Sequence, residues 1–125
     1  MKSNVVFLRC KHCGSIVGLI KAGAPTTCCG EEMERLVPNT TDGATEKHVP
    51  VAQRRDGKIV VQVGSAEHPM IPEHYIEWIA VVNENSTERI SLMPGNKPYA
   101  EFCDKGGKIE VYEYCNLHGL WMSEL

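Results

Sequence analysis

Four cysteines in the first thirty residues set the strongest limit on how this chain can fold. Cys10 and Cys13 stand in "CKHC", and Cys28 and Cys29 stand together in "TCCG". The segments around them hold little apolar material, with candidate strands only at Val5–Leu8 and Ile16–Ile20. Fewer than about forty residues cannot bury a useful core, so such a unit draws its folding free energy from a staple. Four thiolates on two knuckles can close a tetrahedron around one ion. Gly14 and Gly30, one after each pair, fit the tight backbone that knuckles need. Zinc and iron both accept four thiolates, and the spacing does not choose between them; disulfides are the remaining option. Consecutive side chains point apart in an extended chain, so Cys28 and Cys29 can share an ion only across a local bend. His12, inside "CKHC", is expected to be solvent-exposed and not a ligand.

The stretch from Val37 to Lys47, "VPNTTDGATEK", is rich in Pro, Asn, Thr and Gly and reads as a linker. This places a small metal-knuckle domain over residues 1–37 and a second domain over 38–125. The second part reads as all-β. "KIVVQV" follows the hairpin signal Asp56-Gly57, and "HYIEWIAVV" is apolar on both phases in its second half, like a central strand. "RISLM" stops at "PGNKP", and "YAEFC" and "KIEVYEY" flank "DKGG". No segment has a helical period. Short strands so spaced predict a β-sandwich.

With 125 residues there is room for one ordinary domain and one small one. A net charge of -3 without a basic run argues against nucleic acid as a partner. No stretch has the apolar length to span a bilayer, and "MKSNVVFLRC" lacks a signal-peptide core, so a cytoplasmic location is expected. In a reducing compartment, closely spaced cysteines more often bind metal than form disulfides.

A second set of ligand types lies beyond the knuckles. His48, His68, His74 and His118 occur in "TEKHVP", "AEHPM", "EHYIEW" and "CNLHG", each at a strand edge or turn beside Pro or Gly. Cys115 stands three residues before His118. The simpler reading leaves two or three of these histidines as ordinary exposed residues. If all five bind one ion, they exceed the four ligands zinc prefers. Four imidazoles in a plane with sulfur on the axis leave one axial position open, which suits ferrous iron. An axial thiolate donates electron density through the metal, as in thiolate-ligated haem.

These residues resemble a known family. "CKHC" with "CCG", then "EKHVP", "EHPM", "HYIEWI" and "EYCNLHGLW", follow the order of the desulfoferrodoxins, the two-iron superoxide reductases, over nearly the whole chain. The resemblance implies a mainly β protein: a desulforedoxin-like Fe(Cys)4 domain, then an immunoglobulin-like β-sandwich with an Fe(His)4Cys site. It places Cys10, Cys13, Cys28 and Cys29 on the first iron. It places His48, His68, His74 and His118 on the second as equatorial imidazoles, with Cys115 as axial sulfur. Glu46 and Lys47 match a mobile pair beside the open position. The implied reaction is the one-electron reduction of superoxide to hydrogen peroxide, with a rubredoxin-like external donor and a homodimeric protein. Cys103 matches no family role and is expected to be a small buried or half-buried side chain at a strand end. Competing readings are an Fe(Cys)4 electron carrier with a passive β-domain, a zinc-ribbon binding module, and a superoxide dismutase.

Overall fold

The computed structural model describes residues 5–125. It divides into two compact units, the first ending at Val37 and the second running Pro38–Leu125.

In the first unit, strands β1 (Val6–Arg9) and β2 (Ile16–Leu19) form a hairpin around the Cys10–Cys13 knuckle. Next come β3 (Thr27–Cys28), β4 (Glu31–Glu32) and β5 (Glu34–Arg35). β1 pairs with β2 and β5, and β3 pairs with β4 around Cys29 and Gly30. The buried cluster here is only Leu8, Cys10 and Met33, with a fringe that includes Val6, Val17 and Leu19. So little apolar surface cannot offset the entropy of ordering the chain, as the sequence predicts.

The second unit begins with a single helical turn, α1 (Thr45–His48), followed by seven strands. These are β6 (Pro50–Arg55), β7 (Lys58–Val63), β8 (Ile76–Val82), β9 (Thr87–Ser91), β10 (Tyr99–Cys103), β11 (Glu110–Cys115) and β12 (Gly119–Glu124). They form a three-stranded sheet ordered β10-β7-β6 and a four-stranded sheet ordered β12-β11-β8-β9. This is the immunoglobulin-like arrangement of a two-sheet sandwich. Alternate residues of β7 (Ile59, Val61, Val63), β8 (Ile79, Val81), β10 (Ala100, Phe102) and β11 (Val111, Cys115) make the core. The Asp56-Gly57 turn has φ of 52° and 76°, the left-handed pair a two-residue hairpin requires.

Three local expectations are corrected. β6 and β12 carry no clear sequence signal, and both are edge strands, where packing demands on composition are weakest. Pro50 is tolerated because it opens an edge strand. The stretch read as a linker is not free chain either. Asn39 pairs with Met122 through both its amide oxygen (2.9 Å) and its amide nitrogen (3.1 Å), and residues 45–47 belong to α1. Cys103 is exposed, not buried or half-buried, because it falls on the outward phase of β10.

The antiparallel pairings bring the start of β6, the end of β7, the start of β8, the end of β11 and the start of β12 to one end of the sandwich. Every histidine of the second ligand set, and Cys115, sits at that end.

Candidate metal centres

The four early cysteines converge. Their sulfurs lie within 4.8 Å of one another, with Cys13 and Cys28 3.6 Å apart and Cys28 and Cys29 4.0 Å apart. Sulfurs about 2.3 Å from one ion in a tetrahedron stand roughly 3.8 Å apart, so the set fits a single metal. All four are free thiols, which removes the disulfide reading. The bend that adjacent cysteines require is present: Cys29 has φ of 51° and Gly30 of 76°. Backbone N–H groups of His12 and Cys13 each donate to the Cys10 sulfur at 3.4 Å. The Ser15 hydroxyl, 3.2 Å from the Cys13 sulfur, is the main cause that brings that thiol down to about 6. His12 is exposed and pairs with Glu31 at 2.5 Å, outside the cluster.

A core this small is expected to make the unit depend on its metal. Chelation is expected to strip amide-exchange protection from β1, β2 and β5 while leaving β8 and β11 protected. Hydrogen exchange by mass spectrometry reads both in one sample, and retained protection in β1 would contradict the account.

The second set converges as well, around a square. Neighbouring ring centroids are 4.7 Å apart for His48–His68, 4.6 Å for His68–His74, 4.9 Å for His74–His118 and 4.7 Å for His118–His48. Across the diagonal, His48 and His74 are 6.2 Å apart. Neighbouring rings are steeply inclined, by 70° to 84°, whereas the diagonal pair is inclined by 29°. His48 Nε2 lies 3.0 Å from His118 Nδ1 and 3.2 Å from His68 Nε2. Four nitrogens about 2.1 Å from a common centre in a square stand roughly 3.0 Å apart, so these spacings fit one ion. Cys115 supplies the fifth donor, its sulfur 3.8 Å from His118 Nδ1. His74 Nε2 is buried without a hydrogen-bond partner, which a role as a metal ligand would account for.

His48 and His68 are set from behind. His48 Nδ1 donates to the Ala44 carbonyl at 2.7 Å, and His68 Nδ1 donates to the Pro69 carbonyl at 2.6 Å. Both bonds fix the tautomer that turns the Nε2 lone pair inward. Burial pushes His48 and His74 down, and His68 down to about 4, so these rings stay neutral and able to ligate at neutral pH. Burial pushes the Cys115 thiol up, while the N–H groups of Leu117 and His118 on its sulfur oppose that shift. The β11–β8 ladder shifts register at this cysteine, placing Ile76 opposite it. Trp121 stacks on His48 at 4.9 Å and donates from Nε1 to the His118 carbonyl at 3.0 Å. The Thr41 hydroxyl donates to the same carbonyl. Gly43 closes the wall: a Cβ there would lie 3.1 Å from Trp121 and 3.2 Å from His48.

Glu46 and Lys47 are exposed on α1, immediately before His48. The Lys47 charge acts on both His48 and His74, the diagonal pair. A Cβ on Gly64 would lie 2.7 Å from the Glu46 carbonyl oxygen, which accepts from the Ala66 N–H at 2.8 Å and the Ser65 hydroxyl at 3.2 Å. Thr41, Gly43, Gly64 and Trp121 are absent from the sequence reading of the site, and Asn116 enters it only as a residue that bends the Cys115–His118 turn. Asn116 and Trp121 both lie in the quoted motif "EYCNLHGLW", which is the available signal.

The family model for desulfoferrodoxin matches residues 40–124. A desulfoferrodoxin of Nitratidesulfovibrio vulgaris is 45% identical over 99% of this chain and 99% of its own length. A superoxide reductase of Pyrococcus horikoshii is 33% identical, over 67% of this chain and 90% of its own. The crystal structure of the superoxide reductase from Treponema pallidum superposes with a TM-score of 0.80 at 31% identity, covering 98% of this chain and 99% of that one. The two clusters fit the Fe(Cys)4 and Fe(His)4Cys centres that the sequence resemblance implies, and a β-domain holding five inward-facing donors is not passive. On its sequence, its fold and its two ligand sets, the chain belongs to the desulfoferrodoxin family.

Proposed function

We propose that this protein is a superoxide reductase, consuming one electron and two protons per superoxide to give hydrogen peroxide. The observation that carries this reading is the square of four imidazoles with one thiol on a fifth side. When bound there, iron supplies the electron and the position at which superoxide is held.

As iron ligands, imidazoles are neutral and a thiolate carries one negative charge, so the ligand set would bring a single negative charge to the site. The chain is net negative and its substrate is a small anion, so a local positive charge is needed to draw it in. Lys47 provides it, exposed beside His48 and acting on both diagonal rings. Glu46, its neighbour in the chain, matches the carboxylate of the family's mobile pair and would offer it to the same face. Trp121 and Gly43 pack against the His48 edge and keep water from it. Cys10, Cys13, Cys28 and Cys29 hold the other iron. By family analogy a rubredoxin-like protein returns the electron. By family analogy the protein is a homodimer, and the N-terminal sequence without a signal-peptide core favours the cytoplasm. No helix among the described residues is long and apolar enough to cross a membrane.

Lys47→Ala is expected to slow the second-order reaction with superoxide by about tenfold at low salt and to flatten its ionic-strength dependence. Pulse radiolysis of the reduced protein measures both. An unchanged rate at low salt would remove Lys47 from the mechanism.

A further inference from the structure

His74 is held differently from the other imidazoles. His48 and His68 are fixed through ring hydrogen bonds to carbonyls, and His118 through its own carbonyl. Among the described residues, no hydrogen bond reaches the His74 ring, and its Nε2 is buried and unpartnered. Its main chain is gripped instead. The Asn116 side chain accepts from the Tyr75 N–H at 2.9 Å and donates to the Glu73 carbonyl at 3.0 Å, the groups on either side of His74. The Asn116 backbone N–H adds a third bond, to the Tyr75 carbonyl at 3.2 Å. Asparagine in a tight turn ordinarily bonds its own backbone within a few residues. Here both side-chain bonds reach across 41 and 43 positions.

We propose that Asn116 is a positioning residue that locks the His74 segment to the Cys115–His118 turn and so sets the spacing of three donors of the second centre. Asn116 is covalently next to Cys115 and two residues before His118. The His74 main chain therefore cannot shift against the sulfur without breaking these bonds. The same bonds steady the turn whose Leu117 and His118 N–H groups face the sulfur. Losing them leaves the sulfur more electron-rich and the His74 ring less well placed.

The inference rests on the iron reading of this site. Its test compares the iron-loaded parent with Asn116→Ala, Asn116→Asp and a control, Asn83→Ala. Asn83 clamps a turn at the far end of β8 through bonds to Asn85 and Ser86, so its loss is structural only. In Asn116→Ala, exchange in the peptide covering residues 73–75 is expected to be about tenfold faster. The thiolate-to-ferric band should move to longer wavelength, the reduction potential of the second centre should fall, and its iron should leave to a chelator about 10- to 100-fold faster. Asn116→Asp keeps the acceptor for Tyr75 and loses the donor to Glu73, so it should fall between; it decides the matter if the alanine variant does not fold. The control and the Fe(Cys)4 absorption should be unmoved. A band and potential unchanged in both Asn116 variants, with exchange at the parent rate, would overturn the inference. A parent protein without that band would instead overturn the iron reading itself.

Discussion

Cys115→Ser should abolish the thiolate-to-ferric absorption of the second centre and lower the rate of superoxide reduction by more than about 100-fold, the upper range seen for loss of a mere outer-shell partner. Serine is close in shape, so the β11–β12 turn should survive. Its hydroxyl ionises far less readily than a thiol and is a harder, less donating ligand. Cys115 is fully buried in the core cluster. The Met70 thioether packs against the same cluster and accepts from the Ile76 N–H at 3.4 Å, but a neutral thioether cannot supply a thiolate band. Among the described residues the other thiols are those of the first cluster and Cys103, at an exposed strand end. The Fe(Cys)4 spectrum should be intact and serves as the internal measure of folding. Optical spectra of the oxidised protein, with stopped-flow or pulse radiolysis of the reduced form, check both parts. A retained band, or a rate within severalfold of the parent, would show that the sulfur is not a ligand.

Glu113→Gln should stabilise the protein increasingly as pH rises above the ordinary carboxylate range. Glu113 is wholly buried on the same face of β11 as Val111 and Cys115, and neither carboxyl oxygen has a hydrogen-bond partner. Burial holds its pKa well above the usual value. The unfolded chain therefore releases this proton near pH 4.3, at about the normal carboxylate value, while the folded chain retains it. The sign follows. The stability associated with the neutral carboxyl is complete below the unfolded pKa and declines as pH rises toward the folded one, by about 1.4 kcal/mol for each pH unit in between. Glutamine keeps the volume and cannot ionise, so it escapes that decline. Thermal unfolding of parent and variant at pH 5, 6 and 7 should show a gap that widens with pH. A constant gap would mean that Glu113 is ionised and paired in the folded state.

The parts of the fold that were legible in sequence are those where one physical demand dominates. β7 and β8 must be buried on their inner faces, and their β-branched runs show it; Asp56-Gly57 must turn left-handed, and its residues show that. The ligands were legible because thiols and imidazoles at turns beside Gly and Pro have few other reasons to recur. What was not legible depends on tertiary approach. β6 and β12 are edge strands whose composition is loosely constrained. Asn39 reads as a linker residue until Met122 is brought beside it. Gly43 and Gly64 read as ordinary loop glycines; only the closeness of Trp121, His48 and the Glu46 carbonyl makes a Cβ inadmissible there. Asn116 reads as a turn former, and its long-range bonds exist only after β8 and β11 have paired.

The stoichiometry of superoxide consumption by the iron-loaded, pre-reduced protein bears most directly on the whole account. One hydrogen peroxide should appear for each superoxide consumed, with no oxygen evolved and one second-centre iron oxidised per turnover. Half that peroxide accompanied by oxygen, or superoxide that outlasts the reduced protein at its uncatalysed rate, would contradict it.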